Sequence, residues 1–242
     1  MTRTDGYGRL LEDALAGQDV LEIIERDDGF IQASRFGPDA YLAPYRRWPA
    51  RQRRAMRLVR GRVLDVGCGA GRVPLHLQER GQEVVAIDNS PGAVEISRRR
   101  GVRDVRLLSI DDVNESLGAF DTIVMFGNNF GLFGNRAKAK RLLRRFHHVT
   151  TARGRIVAES LDPYATTDQV HLDYHARNRA RGRMSGQLRI RVRYRDHATP
   201  WFDYLLVSRD ELEAIVEGTG WKVARILDGD SELYVAVLEK LY

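Results

Sequence analysis

The sequence predicts a doubly wound α/β fold: a seven-stranded, mostly parallel sheet with an antiparallel terminal strand, N-terminal helices and an inserted β-hairpin. Three observations carry this expectation. From Arg62 to Glu159, short apolar strands, glycine-containing turns and amphipathic stretches follow one another repeatedly. The first of these strands, Val63–Val66, runs straight into a glycine cluster. Further on, Leu188–Arg195 switches to a strict period of two, the mark of a half-buried antiparallel strand.

The elements follow in order. Residues 7–28 carry helical spacing through Leu10, Leu11, Leu15, Val20, Leu21 and Ile24. Gly37-Pro38 reads as a turn, and Pro49 to about Arg60 as a helix with proline at its first position. Residues 1–60 therefore form an N-terminal helical lobe, and residues 61–242 the main domain. After Val63–Val66, Arg72–Arg80 is a helix stopped by Gly81, with Pro74 tolerable in its first turn. Glu83–Ile87 is the second strand. Ser90 and Pro91 supply the next helix with its N-cap and first residue, and Gly101 ends it. Val105–Leu108, Thr122–Phe126 and Arg155–Glu159 are the next strands, and residues 135–150 a basic helix. Leu188, Ile190, Val192 and Tyr194 alternate with Arg189, Arg191, Arg193 and Arg195, a charged face suited to a solvated sheet edge. With Trp201–Val207 this strand makes a hairpin, which also offers pairing across a homodimer. Ser208-Arg209-Asp210-Glu211 is a capping box opening a helix to about Gly218. Trp221–Leu227, a turn at Asp228-Gly229-Asp230, and Glu232–Leu238 form a terminal hairpin, one strand of which lies antiparallel in the main sheet.

Composition narrows the class. The chain has 242 residues, 43% hydrophobic, enough for a large core and too apolar for a disordered chain. No apolar run approaches the roughly 18 residues of a membrane span, and Met1 to Gly8 is polar, without the apolar core of an export signal. A single cysteine, Cys68, excludes an internal disulfide and a multi-cysteine zinc site, so no metal is expected, and it suits a reducing, cytoplasmic setting. Only Lys138, Lys140, Lys222 and Lys240 among the 39 basic residues are lysine, and the net charge is +6. Two stretches, Arg46 to Arg62 and Arg177 to Arg195, hold eight arginines each and no acid. Such clusters raise nucleic acid as a partner, against a plain compositional preference for arginine. Residues 161–242 nonetheless sum to −1, and Tyr194 is the one aromatic interleaved with the 189–195 arginines. A small-molecule substrate is therefore the expected partner.

The chemistry concentrates in Val63-Leu64-Asp65-Val66-Gly67-Cys68-Gly69-Ala70-Gly71-Arg72. Glycines at a strand-to-helix turn admit a ligand to the backbone, where the helix N-terminus presents free N–H groups. A dinucleotide site would place its third glycine where Arg72 stands. Asp65, two residues before the first glycine, would repel a pyrophosphate but favour an ammonium or sulfonium. Asp88 ends the second strand, in Val84-Val85-Ala86-Ile87-Asp88-Asn89.

These residues resemble the glycine-rich signature of class I S-adenosylmethionine-dependent methyltransferases, V-L-D-V-G-C-G-x-G. The resemblance runs from about Tyr41 to Leu161 and more weakly onward. It implies a Rossmann-like domain in which Gly67, Cys68, Gly69, Gly71 and Arg72 pack under the methionine part of the cofactor, with Asp65 nearby. It implies that Asp88 and the adjoining Asn89 hold the ribose, since a carboxylate with two acceptor oxygens suits a vicinal diol. The adenine position falls within Ser109-Ile110-Asp111-Asp112, either with Ser109 and Ile110 flanking the base or with Asp111 bonding it. Phe126 and Gly127, at the end of the fourth strand, would lie beside the sulfonium. The N-terminal lobe would cover the cofactor, with Tyr45 either touching it or packing on Trp48. The region at about 162–207 becomes a substrate-side insertion. Cys68 occupies a common small-residue site of the loop and is read as structural.

The implied reaction is methyl transfer to a small molecule by in-line displacement, with S-adenosylhomocysteine as product; an RNA or protein methyltransferase using the arginine-rich surface is the alternative. Alignment and desolvation can supply much of such catalysis, so no catalytic residue is assigned. The N/D-P-P-Y/F/W motif of nucleobase and glutamine amino-methyltransferases is replaced here by Asn128-Asn129-Phe130-Gly131. Asn128 and Asn129 are candidates for orienting the acceptor or for shaping the loop. His171 and His175, four residues apart on one helix face, are further acceptor-side candidates, without the glutamate of a zinc motif.

Overall fold

In the computed structural model, which describes residues 4–229 and 231–241 and only the backbone of 36–38, the chain opens with helix α1 (Gly6–Leu15) and a hairpin of β1 (Glu22–Arg26) and β2 (Ile31–Ser34). Helices α2 (Phe36–Leu42) and α3 (Ala50–Met56) follow. Then come β3 (Val63–Val66), α4 (Arg72–Glu79), β4 (Val84–Asp88), α5 (Pro91–Arg99) and β5 (Val105–Leu107). Strand β6 (Phe120–Met125), helix α6 (Arg136–His148) and strand β7 (Thr150–Leu161) continue the alternation. The remainder is α7 (Gln169–Ala180), β8 (Gln187–Tyr194), β9 (His197–Ala198), β10 (Phe202–Leu205), α8 (Arg209–Val216), β11 (Trp221–Asp228) and β12 (Leu233–Lys240). The seven-stranded sheet has the order β11-β12-β7-β6-β3-β4-β5, the mostly parallel Rossmann-like arrangement expected. Its terminal strand β12 runs antiparallel to both neighbours.

The chain divides into two compact units. The first comprises Met1–Trp48, Arg62–Asp112 and Ile190–Phe202. Strands β3 and β4 are buried at every position, as apolar runs in a parallel sheet covered on both faces must be. Ser90 caps α5 through its hydroxyl (3.0 Å from the Ala93 N–H), and Gly101 ends that segment at φ +100°. Leu10 and Leu11 of α1 bury completely with Ala70, Ala93 and Ile96, each leucine contributing about 2 kcal/mol.

This unit holds three departures from expectation. The periodic stretch 7–28 is not one helix. It ends at Leu15 before Gly17 (φ +76°), and Ile23 and Ile24 lie in β1 instead. β-Branched residues before the Asp28-Gly29 turn satisfy a hairpin as readily as a helix. Gly37-Pro38 lies in the first turn of α2, where a proline lacks no needed donor. Strand β8 is no free edge, because β1 flanks it on one side and β9 on the other. Its arginines face acids rather than solvent alone: Arg191 and Arg193 pair with Glu25 (2.8 and 3.1 Å), and Arg195 with Asp13 (3.0 Å).

The second unit comprises Pro49–Gly61, Val113–Arg189 and Asp203–Tyr242. Helix α3 is shorter than expected, with Pro49 as its cap rather than its first residue. Strand β7 is longer, extending back to Thr150. Phe130, Phe133 and Phe146 pack ring to ring, and Trp221 donates its indole N–H to the Leu143 carbonyl (2.8 Å). The capping box of α8 forms as predicted, Ser208 and Glu211 each bonding the other's backbone N–H. The terminal hairpin forms too, although Asp230 of its turn lies outside the described residues, as do residues 1–3 of the polar N-terminal stretch. No helix among the described residues is long and apolar enough to cross a membrane.

Candidate active site

In the first unit the glycine turn is built from three left-handed residues, Gly67, Gly69 and Gly71 (φ +74°, +54° and +79°). A side chain is barred there by more than conformation. A Cβ on Gly71 would lie 2.7 Å from Val102 and 2.8 Å from the Ser97 hydroxyl, and one on Gly69 would lie 2.7 Å from the Tyr7 hydroxyl. Arg72, the first residue of α4, lays its guanidinium 4.6 Å over the Trp48 ring. Cys68 is buried, and burial followed by the charge of Asp88 pushes its thiol well up. A neutral buried thiol fits the structural reading and is a poor nucleophile.

Two buried acids face this turn. Asp65 is 2% exposed, and its Oδ2 has no hydrogen-bond partner among the described residues. Burial pushes its pKa up to about 7, against the opposing pull of Arg72. Asp88 is also buried, which raises its pKa, while backbone hydrogen bonds hold it down. Its Oδ2 accepts from the Gly69 N–H and its Oδ1 from the Ser90 N–H, both at 2.9 Å. The Asn89 N–H is a third backbone donor to this carboxylate, which leaves about one of its four acceptor positions for a ligand. Asn89 beside it is exposed. Ile110 is buried at the start of a short 3₁₀ turn, Ile110–Asp112, and the Ser109 hydroxyl accepts from the Asp111 N–H (3.2 Å). Tyr45 stacks on His76 (3.9 Å, 6°) and meets Trp48 edge-on at 5.3 Å, so its ring lies in the aromatic cluster with Trp48.

In the second unit, β6 ends in buried Phe126, and the chain turns through Gly127 (φ +76°) and Asn128 (φ +63°). Asn128 lies in the left-handed region, which asparagine tolerates better than other side chains, and contacts on two sides hold it there. Glu159, 1% exposed near the end of β7, does so from one side. Its Oε2 accepts from the Gly127 N–H (2.7 Å), the Asn128 N–H (3.3 Å) and Gln52 (2.7 Å), while Oε1 accepts from Arg51 (2.6 Å). Tyr204 holds the other side, donating its hydroxyl to the Asn128 carbonyl (2.6 Å) with its ring against Gly131. The Asn128 side-chain Oδ1 is buried without a partner among the described residues. Asn129 begins the next 3₁₀ turn, Asn129–Phe133. His171 and His175 lie one turn apart on α7; His175 is buried, with the Tyr164 ring at 6.2 Å.

The sequence reading missed several residues of these arrangements. Tyr7 sits at Gly69, Asp5 fastens α1 to the start of α5, and Glu159, Gln52, Arg51 and Tyr204 support Asn128. Glu159 had a signal: it is a charge inside the apolar run Ile156-Val157-Ala158-Glu159, and a charge in a buried strand needs partners. Tyr7 had one in its two flanking glycines.

A family model described as a methyltransferase domain matches residues 63–154. The ubiquinone biosynthesis O-methyltransferase of Xanthomonas oryzae pv. oryzae is 38% identical over 72 residues, 27% of this chain and 30% of that one. The magnesium-protoporphyrin O-methyltransferase of Rhodobacter capsulatus is 37% identical over 67 residues, 26% and 30% of the two chains. The chain thus spans about 30% of the length of these curated relatives. A crystal structure of a SAM-dependent methyltransferase from Bacteroides fragilis, in complex with S-adenosyl-L-homocysteine, superimposes over all of this chain and 97% of its own, with a TM-score of 0.84 and 26% identity. The glycine turn, the strand order and these likenesses agree: residues 63–154 match a methyltransferase domain, and the whole chain shares its fold with a SAM-dependent methyltransferase.

Proposed function

We propose that this protein is an S-adenosylmethionine-dependent methyltransferase that methylates a small molecule and releases S-adenosylhomocysteine. The observation that carries the reading is the glycine turn flanked by two buried carboxyls, one of them with an oxygen that nothing among the described residues satisfies. A buried carboxylate without a partner is costly, and a cationic ligand repays that cost. Bound there, the cofactor supplies an electrophilic methyl group on sulfur. Asp65 suits its ammonium or sulfonium. Asp88, a buried carboxylate held by backbone donors with an acceptor position left over and Asn89 beside it, suits a ribose hydroxyl. Gly67, Cys68, Gly69, Gly71 and Arg72 form the floor, Ser109, Ile110 and Asp111 take the base, and Phe126 and Gly127 border the sulfonium.

Asn128, Asn129, His171 and His175 are the residues we assign to the acceptor side. A small acceptor is the class named for the O-methyltransferase relatives. It is also favoured over RNA or protein by the arginine stripe, because Arg191, Arg193 and Arg195 spend their charge on Glu25 and Asp13. The single cysteine suits a reducing, cytoplasmic setting.

Calorimetric titration with S-adenosylhomocysteine tests the cofactor. Saturable binding is expected, weakened at least tenfold in Asp88→Ala, since a hydrogen bond to a charged acceptor contributes roughly 1.5–3 kcal/mol. An absence of binding, or equal binding by the variant, overturns the assignment. A methyl-transfer screen over phenols, amines and carboxylic acids then identifies the acceptor.

A further inference from the structure

We propose that Tyr7 is a cofactor contact, its hydroxyl bonding the ribose alongside Asp88. This rests on the cofactor reading above and adds a residue to it. Three observations place the group. The Tyr7 hydroxyl stands over Gly69, where a Cβ would lie 2.7 Å from it. The Gly69 N–H is also the donor to Asp88 Oδ2, so the phenol and the carboxylate converge on one residue of the glycine turn. The Tyr7 hydroxyl has no hydrogen-bond partner among the described residues, although its ring is fixed. A hydroxyl held in place with nothing to bond is poised for a ligand.

The chain invests in that placement. Asp5 accepts from the Gly8 N–H (2.9 Å), the Ser90 hydroxyl (2.7 Å) and the Gly92 N–H (2.8 Å), tying the start of α1 to the start of α5. The two glycines around Tyr7 let the backbone come close. A Cβ on Gly8 would lie 2.7 Å from the Gly92 Cα, and one on Gly6 would lie 3.0 Å from the Val192 carbonyl. From the other direction Tyr41 meets the Tyr7 ring edge-on at 5.4 Å, and Tyr41 is itself anchored by its hydroxyl to the buried Glu22 carboxylate (2.9 Å). At the far end of α1, Tyr194 and Arg195 both bond Asp13 at 3.0 Å. The helix is therefore fastened at both ends, and Tyr7 is preorganised rather than swept in. Burial, then the charges of Asp88 and Glu22, keep the phenol neutral, able both to donate and to accept.

Two probes locate the contact by calorimetry: S-adenosylhomocysteine, and 5′-methylthioadenosine, which keeps the ribose and lacks the amino acid. Tyr7→Phe is expected to weaken both by the same factor, about threefold to tenfold, the equivalent of one hydrogen bond. Its melting temperature without ligand is expected to match the wild type, because the hydroxyl has no internal partner to lose. A loss confined to S-adenosylhomocysteine would overturn the ribose assignment, and unchanged binding of both probes, or a lowered ligand-free melting temperature with unchanged binding, would overturn the contact. A wild type that fails to bind S-adenosylhomocysteine removes the cofactor reading and this contact with it. A wild type that binds beside an unaffected Tyr7→Phe removes this contact alone.

Discussion

Glu159→Ala is expected to destabilise the protein by about 3–5 kcal/mol, the cost of stranding the partners of a buried charge. Four donors converge on this carboxylate, from Arg51, Gln52 and the backbone of Gly127 and Asn128. The Arg51 side chain is only 11% exposed, so water compensates its guanidinium poorly. Gln52 is buried as well. In a domain of this size the loss corresponds to a fall in melting temperature of roughly 10 °C. Glu159→Gln should fall between the two, because the amide keeps an acceptor for the turn while losing the charge that Arg51 pairs with. Denaturant unfolding checks both variants, and a Glu159→Ala protein within about 1 kcal/mol of the wild type would sink the account. The functional consequence lies at Asn128. Its left-handed backbone is uncommon for a non-glycine residue, and Glu159 and Tyr204 are what hold it there. Loosening that turn releases the orientation of the Asn128 amide, whose Oδ1 is buried without a partner among the described residues.

What could be read from the sequence was what local rules determine. Val63–Val66 with its glycines, the Ser90-Pro91 helix start and the Ser208–Glu211 capping box each depend on residues within a few positions. Asp88 followed from one strand's end. The N-terminal region failed for the opposite reason. Ile23 sits opposite Arg193 and Ile24 opposite Val192, so β1 is a strand because of a partner far along the chain. Without that partner, the spacing of Leu10, Leu15, Val20 and Ile24 fits a helix. The same non-local pairing removed the expected sheet edge: with β1 and β9 on its flanks, the Arg189–Arg195 stripe serves as an ion-pairing face. At the candidate site, the glycine turn and both acids were legible as motif. Tyr7 and Glu159 were not, since each matters through contacts that only folding creates.

Asp65→Asn is expected to change how stability depends on pH, and the sign follows from the direction of the shift. An ordinary aspartate titrates near 3.8, and burial raises this one to about 7. Between those values the unfolded chain has lost the proton and the folded chain keeps it. Stability contributed by this group is therefore complete below about pH 4, declines as pH rises, and is gone above about pH 7. The full span is about 4 kcal/mol at 1.36 kcal/mol per unit. An asparagine carries no such proton, so relative to the wild type Asp65→Asn should gain up to about 4 kcal/mol in going from pH 4 to pH 8. Urea unfolding of both proteins across that range measures it, and parallel profiles would show that Asp65 ionises normally in the folded state. The same imbalance bears on binding. A cationic ligand selects the ionised carboxylate, so below pH 7 binding S-adenosylhomocysteine through its ammonium must expel a proton, and affinity should fall as pH drops. Calorimetry in buffers of different ionisation enthalpy reads that proton directly. A wild type that binds without proton release at pH 6 would mean that the ammonium does not rest on Asp65. In this account the stability forgone at neutral pH by burying Asp65 is recovered when a cation arrives beside it.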